Sequence, residues 1–322
     1  MIIVLVELDE ESLEVSREAL TFARTLSAAG GGVPIDAVVV GEVTPEDVAD
    51  LGRYAVREVH QVGGEAFSAY SAAAWAAAVL EVQRAKGSVV VMAGGTNRGT
   101  EVLAHVAARA GVGMAANVVA FNGLAPFTVN RQVMGGAVLE EMQLDGRPAV
   151  FTVAGHAVEA VPAEAPTTPV VVPVAPTVAE ADLVARVVAT EERPQGEGGN
   201  LKTAKVVVGA GRGAGGPDGF GAVVELADLL GGSLGVSRVV TSLGWRPHHE
   251  QVGQTGTRIS PDLYIPCGIS GAIQHWAGCA SSKVILAINT DDEAPMVTKA
   301  TYAVIGDMHE IVPAINEALK QG

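Results

Sequence analysis

Cysteine is almost absent: Cys267 and Cys279 are the only two in 322 residues. They lie too far apart for a redox CxxC pair and are too few for a thiolate metal site, so they read as buried packing residues. Positive charge is scarce as well, with 21 Lys and Arg against 36 Asp and Glu and a formal net charge of -15. Attraction to phosphate backbones or anionic lipid depends on cationic side chains, so nucleic acid and membrane surfaces are poor partners. Long apolar runs are also missing, since no uncharged apolar run approaches the roughly 20 residues a spanning helix needs. The chain opens with Met1 to Val6 and turns acidic at Glu7, Asp9, Glu10 and Glu11, without the basic start of a signal peptide. The expectation is a soluble, cytoplasmic protein with no metal site.

What is present is a chain that can fold. Hydrophobic residues make up 48% and charged residues only 18%, a balance that supports packed cores over disorder. The length suits about two domains. Apolar β-branched runs at Ile2 to Val6, Ala37 to Val40 and Val89 to Ala93 alternate with helical stretches at Glu14 to Ala29, Ala72 to Lys86 and Thr100 to Ala110. That alternation predicts βαβ units and a parallel sheet. After Phe121 the runs Thr128 to Met134, Ala137 to Gln143 and Ala149 to Ala154 are short and divided by Gly135-Gly136 and Asp145-Gly146, which predicts a small antiparallel element closing the first domain.

From Val161 to Asn200 the chain carries six of its 16 prolines and then a polar, glycine-containing run. Proline removes donors and glycine loosens the backbone, so this stretch reads as an unpacked linker. Strand signals return at Lys205 to Val208, Leu263 to Pro266 and Val284 to Asn289, with helices near Phe220 to Leu230 and Met308 to Lys320. The fold class is therefore two three-layer α/β domains with mainly parallel sheets: residues 1–190, a linker at 191–204, and residues 205–322.

Gly211, Gly213 and Gly216 spell GxGxxG just after a strand, where a dinucleotide fold aims backbone donors at a pyrophosphate. The acid that should grip a ribose is replaced by Gly235-Val236-Ser237-Arg238, and an Arg there suits a 2′-phosphate, which leaves an NADP-dependent oxidoreductase open. A plain glycine turn without ligand is the bland alternative. His248 and His249 are adjacent, and on a strand they would point to opposite faces, so they are not read as metal ligands. Ser270 and Gly271 follow a strand, where the hydroxyl could cap a helix and leave amides facing an anion such as a diphosphate. Asp307 with Glu310 fits a helix-capping signature. Asn289 ends a strand at the edge where open α/β sheets bind ligands.

Three further stretches occur in order: Gln251-Val252-Gly253-Gln254-Thr255-Gly256, then Leu263-Tyr264-Ile265-Pro266-Cys267-Gly268-Ile269-Ser270-Gly271-Ala272-Ile273-Gln274-His275, then Ala287-Ile288-Asn289 with Glu293-Ala294-Pro295. Together they resemble the α subunit of electron-transfer flavoproteins over about Lys205 to Leu319; the first 200 residues fit in architecture alone. The resemblance implies a Rossmann-like FAD-binding domain, a smaller β-subunit partner contacting the first domain, and no substrate turned over by the α chain. Cofactor contacts are expected from Arg212, Ser237 and Arg238, from Val252, Gly253, Gln254 and Thr255, from Ser270 through His275, and from Asn289, Asp307 and Met308. In that family the histidine reaches the flavin near a carbonyl, the threonine bonds its central ring nitrogen, and the arginine lies over the ring, where its fixed charge favours an anionic flavin. Asn289 and Asp307 would hold the adenosine half. Donors such as acyl-CoA dehydrogenases in fatty acid oxidation, a quinone reductase acceptor, and AMP in the partner follow from the same resemblance. Its rival is a bifurcating complex with a second FAD in the partner, oxidising NADH and reducing ferredoxin. Trp276 and Cys279 depart from the family's Leu and Met, a change of packing beneath the ring.

Overall fold

The computed structural model describes residues 1–9, 12–134, 138–155, 157–185, 187, 201 and 204–321. The chain divides into two compact units, one formed by the described residues of Met1–Val133 and Val138–Thr190, the other by those of Met134–Ala137 and Glu191–Gly322.

In the first unit the chain runs β1 (Ile2–Val6), α1 (Leu13–Ala29), β2 (Ile35–Val40), α2 (Pro45–Arg53), β3 (Val56–Val62), α3 (Ala72–Lys86), β4 (Val90–Gly94), α4 (Asn97–Ala110), β5 (Met114–Leu124), β6 (Phe127–Val133), β7 (Val138–Gln143), β8 (Ala149–Val153) and β9 (Val170–Val174). The strands form one sheet in the order β7-β6-β5-β8-β4-β1-β2-β3-β9. Alternate side chains of a strand face opposite ways. Ile2, Val4 and Val6 accordingly enter a core with Leu20, Phe22 and Phe151 on the α1 side. Ile3 and Leu5 enter a second core with Val79 and Leu103 of α3 and α4. Each fully buried side chain of this size stabilises the fold by about 1.5–3 kcal/mol. The central strands β1, β4 and β8 are buried on both faces, which is why they read as continuous apolar runs. Thr44 closes a capping box with Asp47 at the start of α2, and Thr96 accepts from the Gly99 amide at the start of α4.

Two expectations for this unit are corrected. The run at 149–154 is not antiparallel: β8 pairs parallel with both β4 and β5. Asp145-Gly146 makes no hairpin, because β7 leaves to the sheet edge while β8 inserts into its middle. The antiparallel element is β5, β6 and β7, and β5 was not foreseen. The proline-rich stretch from Val161 is packed rather than an open linker over much of its length. Val170–Val174 adds an edge strand parallel to β3, and an edge tolerates Pro173 because one side needs no donor. Thr167 donates to the Gly52 and Val56 carbonyls, and the Asp182 carboxylate accepts from Nη1 and Nη2 of Arg109. The stretches 135–137, 188–200 and 202–203, which include Gly135-Gly136 and most of the expected 191–204 linker, lie outside the described residues. Leu201 is buried in the second unit's core beside Val207 and Val252.

The second unit runs β10 (Val206–Ala210), α5 (Gly221–Leu229), β11 (Ser233–Val236), α6 (Arg238–Ser242), β12 (Leu263–Cys267), α7 (Ile273–Cys279), β13 (Val284–Asn289), α8 (Pro295–Thr298), β14 (Tyr302–Ile305) and α9 (Met308–Gln321). Its five strands are all parallel, in the order β11-β10-β12-β13-β14. Phe220, Val223, Leu226 and Val312 fill one face; Tyr264, Cys279, Ile285 and Met296 fill the other. The strand order reverses between β10 and β12, and ligands of open α/β sheets sit at the carboxyl end of such a reversal. Among the described residues no helix is long and apolar enough to cross a membrane.

Candidate functional site

A cleft of about 670 Å³ opens at that reversal, walled by the loops that leave β10, β11, β12, β13 and β14. Eleven of the sixteen expected residues line it. Arg212 comes from the loop after β10, Ser237 and Arg238 from the turn into α6, and Asn289 from the end of β13. Ser270, Gly271, Ala272, Gln274 and His275 come from the loop after β12 and the first turn of α7, and Asp307 and Met308 from the start of α9. Val239, Thr290, Asp291 and His309 are among the other residues on the wall. No motif marks these four, although each is a sequence neighbour of an expected residue at a strand's carboxyl end.

Five expected residues lie beside the cleft rather than on its wall. Val252, Gly253, Gln254 and Thr255 form a strap that is tied down by Val252 N donating to Val236 O at 2.9 Å and Gln254 N donating to Gln274 O at 2.8 Å. Thr255 Oγ1 accepts from Gln251 Nε2 at 3.0 Å. Ile273 points outward and is exposed.

The backbone geometry needs glycine at the turn after β12. Gly271 holds φ +80, and a Cβ there would lie 2.5 Å from the Met296 amide nitrogen. A Cβ on Gly211 would lie 2.3 Å from Gly268 O. The loop of Gly211 is therefore pressed against the turn after β12, and its donors are used there. Gly211 N donates to Cys267 O at 3.0 Å, Gly213 N to Gly268 O at 3.1 Å, and the Ala214 and Gly215 amides bond back to Gly211 O and Arg212 O. Amides so engaged are not free for a pyrophosphate, which argues against the NADP reading of the GxGxxG pattern.

Several side chains do two jobs or none. Asp307 Oδ1 accepts from His309 N at 2.8 Å, so it caps α9 while its residue lines the cleft. Asn289 Nδ2 donates to Ile269 O at 2.9 Å and its Oδ1 accepts from Asp291 N at 3.1 Å, which braces two loops against each other. Ser270 is not the cap expected for α7: the cap position is Ala272, with no side-chain bond. His248 and His249 sit in a short 3-10 turn rather than a strand.

The cleft wall carries both signs of charge. Arg212 and Arg238 are exposed on the cleft wall, and neither guanidinium has an ion-pair or hydrogen-bond partner among the described residues. Asp291 and Asp307 stand on the same wall, on the loops after β13 and β14, so the two guanidiniums offer positive charge to an anion on the side of the loops after β10 and β11. Two buried polar atoms on the same wall, Ser237 Oγ and His275 Nδ1, also lack partners. A buried polar atom without a partner costs about 1–3 kcal/mol, so a bound group that met both would recover that cost. His275 is 6% exposed, and burial pushes its imidazole down to about 4; it is neutral at physiological pH. A large anionic cofactor with polar ring atoms fits these features. A metal does not. Among the described residues the group Asp36, Glu58 and His60 has ligand-like spacing, yet Arg57 grips both Asp36 oxygens and Lys86 pairs with Glu58.

Residues 2–183 match the family model described as Electron transfer flavoprotein domain. Residues 200–280 match the one described as Electron transfer flavoprotein FAD-binding domain. The chain is 33% identical over 314 residues to the electron transfer flavoprotein subunit alpha of Thermoanaerobacterium thermosaccharolyticum, covering 96% of this chain and 94% of that one. It is 36% identical over 322 residues to the same subunit of Mycobacterium leprae, covering 99% and 98%. It is 32% identical over 325 residues to that of Bacillus subtilis, covering 99% and 97%.

Proposed function

Since the chain belongs to the electron transfer flavoprotein family, as one of its α subunits, and its second unit carries that family's FAD-binding domain, we propose that the cleft at the β10/β12 reversal holds FAD and that the chain carries electrons rather than turning over a substrate. The observation that carries this reading is the setting of two guanidiniums without an ion-pair partner among the described residues, and two partnerless buried polar atoms, around one cleft. FAD, when bound, supplies the capacity to take up and release electrons singly or in pairs.

The chain's residues do the rest. Arg238 and Arg212 hold positive charge at the cleft wall, and a low-dielectric surround strengthens that charge once water is displaced. Ser237 and His275 offer hydrogen-bonding atoms at fixed positions. Asn289 and Asp307 hold the loops after β13 and β14, where an adenosine half would lie. The strap from Val252 to Thr255 closes the side of the site through its bond to Gln274. In this reading residues 1–190 meet a β subunit, residues 191–204 link the units, and residues 205–322 carry the cofactor. The partner completes a heterodimer with AMP of its own. Dehydrogenases such as those acting on acyl-CoA are the donors, and a quinone reductase is the acceptor.

The test is to purify the full chain together with its β subunit, denature it, and separate the released nucleotides. One FAD and one AMP per heterodimer is the expected result. Two FAD per heterodimer would instead place the chain in a bifurcating complex, and NADP without flavin would overturn the FAD reading.

A further inference from the structure

His275 does not stand alone. Its Nε2 lies 2.8 Å from the hydroxyl of Tyr264 in β12, and the two rings stack with centroids 6.2 Å apart and an interplanar angle of 24°. Tyr264 is completely buried, its hydroxyl has no other partner among the described residues, and room for that hydroxyl is kept by a glycine on the neighbouring strand. A Cβ on Gly209 of β10 would lie 2.6 Å from Tyr264 Oη. Burial pushes the phenol well above its ordinary value and the imidazole down to about 4, so both rings are neutral.

A neutral pair of this kind has two proton arrangements. If Nε2 carried the hydrogen and donated to the phenol oxygen, the phenol hydrogen would be stranded in the core with no acceptor. If the phenol donates to Nε2, every buried donor is satisfied except the one on Nδ1, and the imidazole hydrogen then belongs to Nδ1. Nδ1 is the atom without a protein partner, on a residue that lines the cleft.

We propose that Tyr264 is a positioning residue that fixes the tautomer of His275, so that Nδ1 presents a neutral N–H donor toward an acceptor in the cleft. The inference rests on the FAD reading for the identity of that acceptor, while the tautomer itself does not depend on it. The imidazole then favours negative charge gathering on a nearby acceptor without adding a charge of its own. Tyr264 touches no cofactor and acts only through His275.

The experiment uses the full chain with its β subunit, labelled with 15N-histidine, and records imidazole nitrogen resonances before and after removal of FAD. His275 is assigned by its loss in His275→Gln. The expected result is a single tautomer protonated at Nδ1 in the unsubstituted protein, in both states. Tyr264→Phe, which removes one oxygen, should turn that signal into a tautomer mixture and raise the FAD dissociation constant about threefold to tenfold, the effect of one hydrogen bond. A histidine protonated at Nε2, or nitrogen shifts unchanged in Tyr264→Phe, overturns the proposal. If the purified protein carries no FAD, the functional reading fails, and the flavin-free spectrum still decides the tautomer.

Discussion

The two sheets end differently at the same kind of edge. In the first unit the strand order also reverses, between β1 and β4, yet the carboxyl end of β1 is filled by the protein itself. Glu7 is 5% exposed, its backbone is clamped by Ser16 Oγ, and its Oε1 accepts from Thr96, the residue that caps α4. A carboxylate already sits where a helix start and a glycine-bearing loop, Gly94 to Gly99, would receive an anion. In the second unit a cleft of about 670 Å³ lies open at the corresponding edge. The Arg212 and Arg238 guanidiniums, Ser237 Oγ and His275 Nδ1 have no partner there among the described residues, whereas at the β1 edge the one such atom of Glu7 is Oε2. The lesson is that a parallel sheet reversal offers a site, and what the first residues after the strand contribute decides whether the chain or a ligand takes it.

The largest effect expected from testing that contrast is at Gly211. A Cβ there overlaps Gly268 O, so Gly211→Ala must part the two loops that frame the open edge. Overpacking of this sort costs about 3 kcal/mol or more where the obstacle is backbone. The measurement is the FAD-to-protein absorbance ratio together with thermal melting. Near-stoichiometric FAD in this variant would show that the loop contact does not frame the site.

Next comes Arg238→Ala. Removing a cation that has no partner among the described residues leaves folding almost untouched, and it should lower the potential of bound FAD by about 30–60 mV, the equivalent of up to tenfold in a one-electron equilibrium. A redox titration unchanged from that of the parent would end this role for Arg238. Ser237→Ala is smaller again. The hydroxyl is partnerless in the chain alone, so the FAD-free melting temperature should hold or rise slightly, while the FAD dissociation constant rises about threefold to tenfold. Equal FAD affinity in the two proteins would mean that the hydroxyl is not met by the cofactor.

Much of this contrast is legible in sequence, and the part that is not has a common cause. The second unit's site is carried by short motifs at strand ends, and Arg212, Ser237, Arg238, Asn289 and Asp307 meet at one cleft because a parallel sheet brings its carboxyl ends together. The non-local pairings are what composition misses. Val170–Val174 looks like a linker because its prolines are visible and its partner β3 is not. Ala149–Val153 looks like the second arm of a hairpin because Asp145-Gly146 is local, whereas its place between β4 and β5 depends on residues far off in the chain. The GxGxxG pattern fails for a related reason. Gly211 and Gly213 answer a steric demand from the turn after β12 at Gly268, a contact that no spacing within the loop reveals, whereas a Cβ on Gly216 would meet open space.

The subtlest expectation concerns the closed edge. Burial raises the carboxyl of Glu7 above its ordinary value, against the opposing hydrogen bond from Thr96. A folded form that keeps its proton longer than the unfolded form is favoured at low pH. The stability so gained is fully present below the unfolded value of about 4.5 and is lost as pH rises through the higher folded value. Glu7→Gln keeps the shape and removes the titration. The loss of melting temperature between pH 4 and pH 8 should therefore shrink in this variant, on the order of a degree or two for a chain of this size. The variant should still bind no nucleotide at the β1 edge, since the amide fills the same space. An unaltered pH dependence would show that the buried carboxyl is not titrating across that range, and a first unit that acquired a nucleotide would show that charge, rather than occupancy, keeps the edge closed.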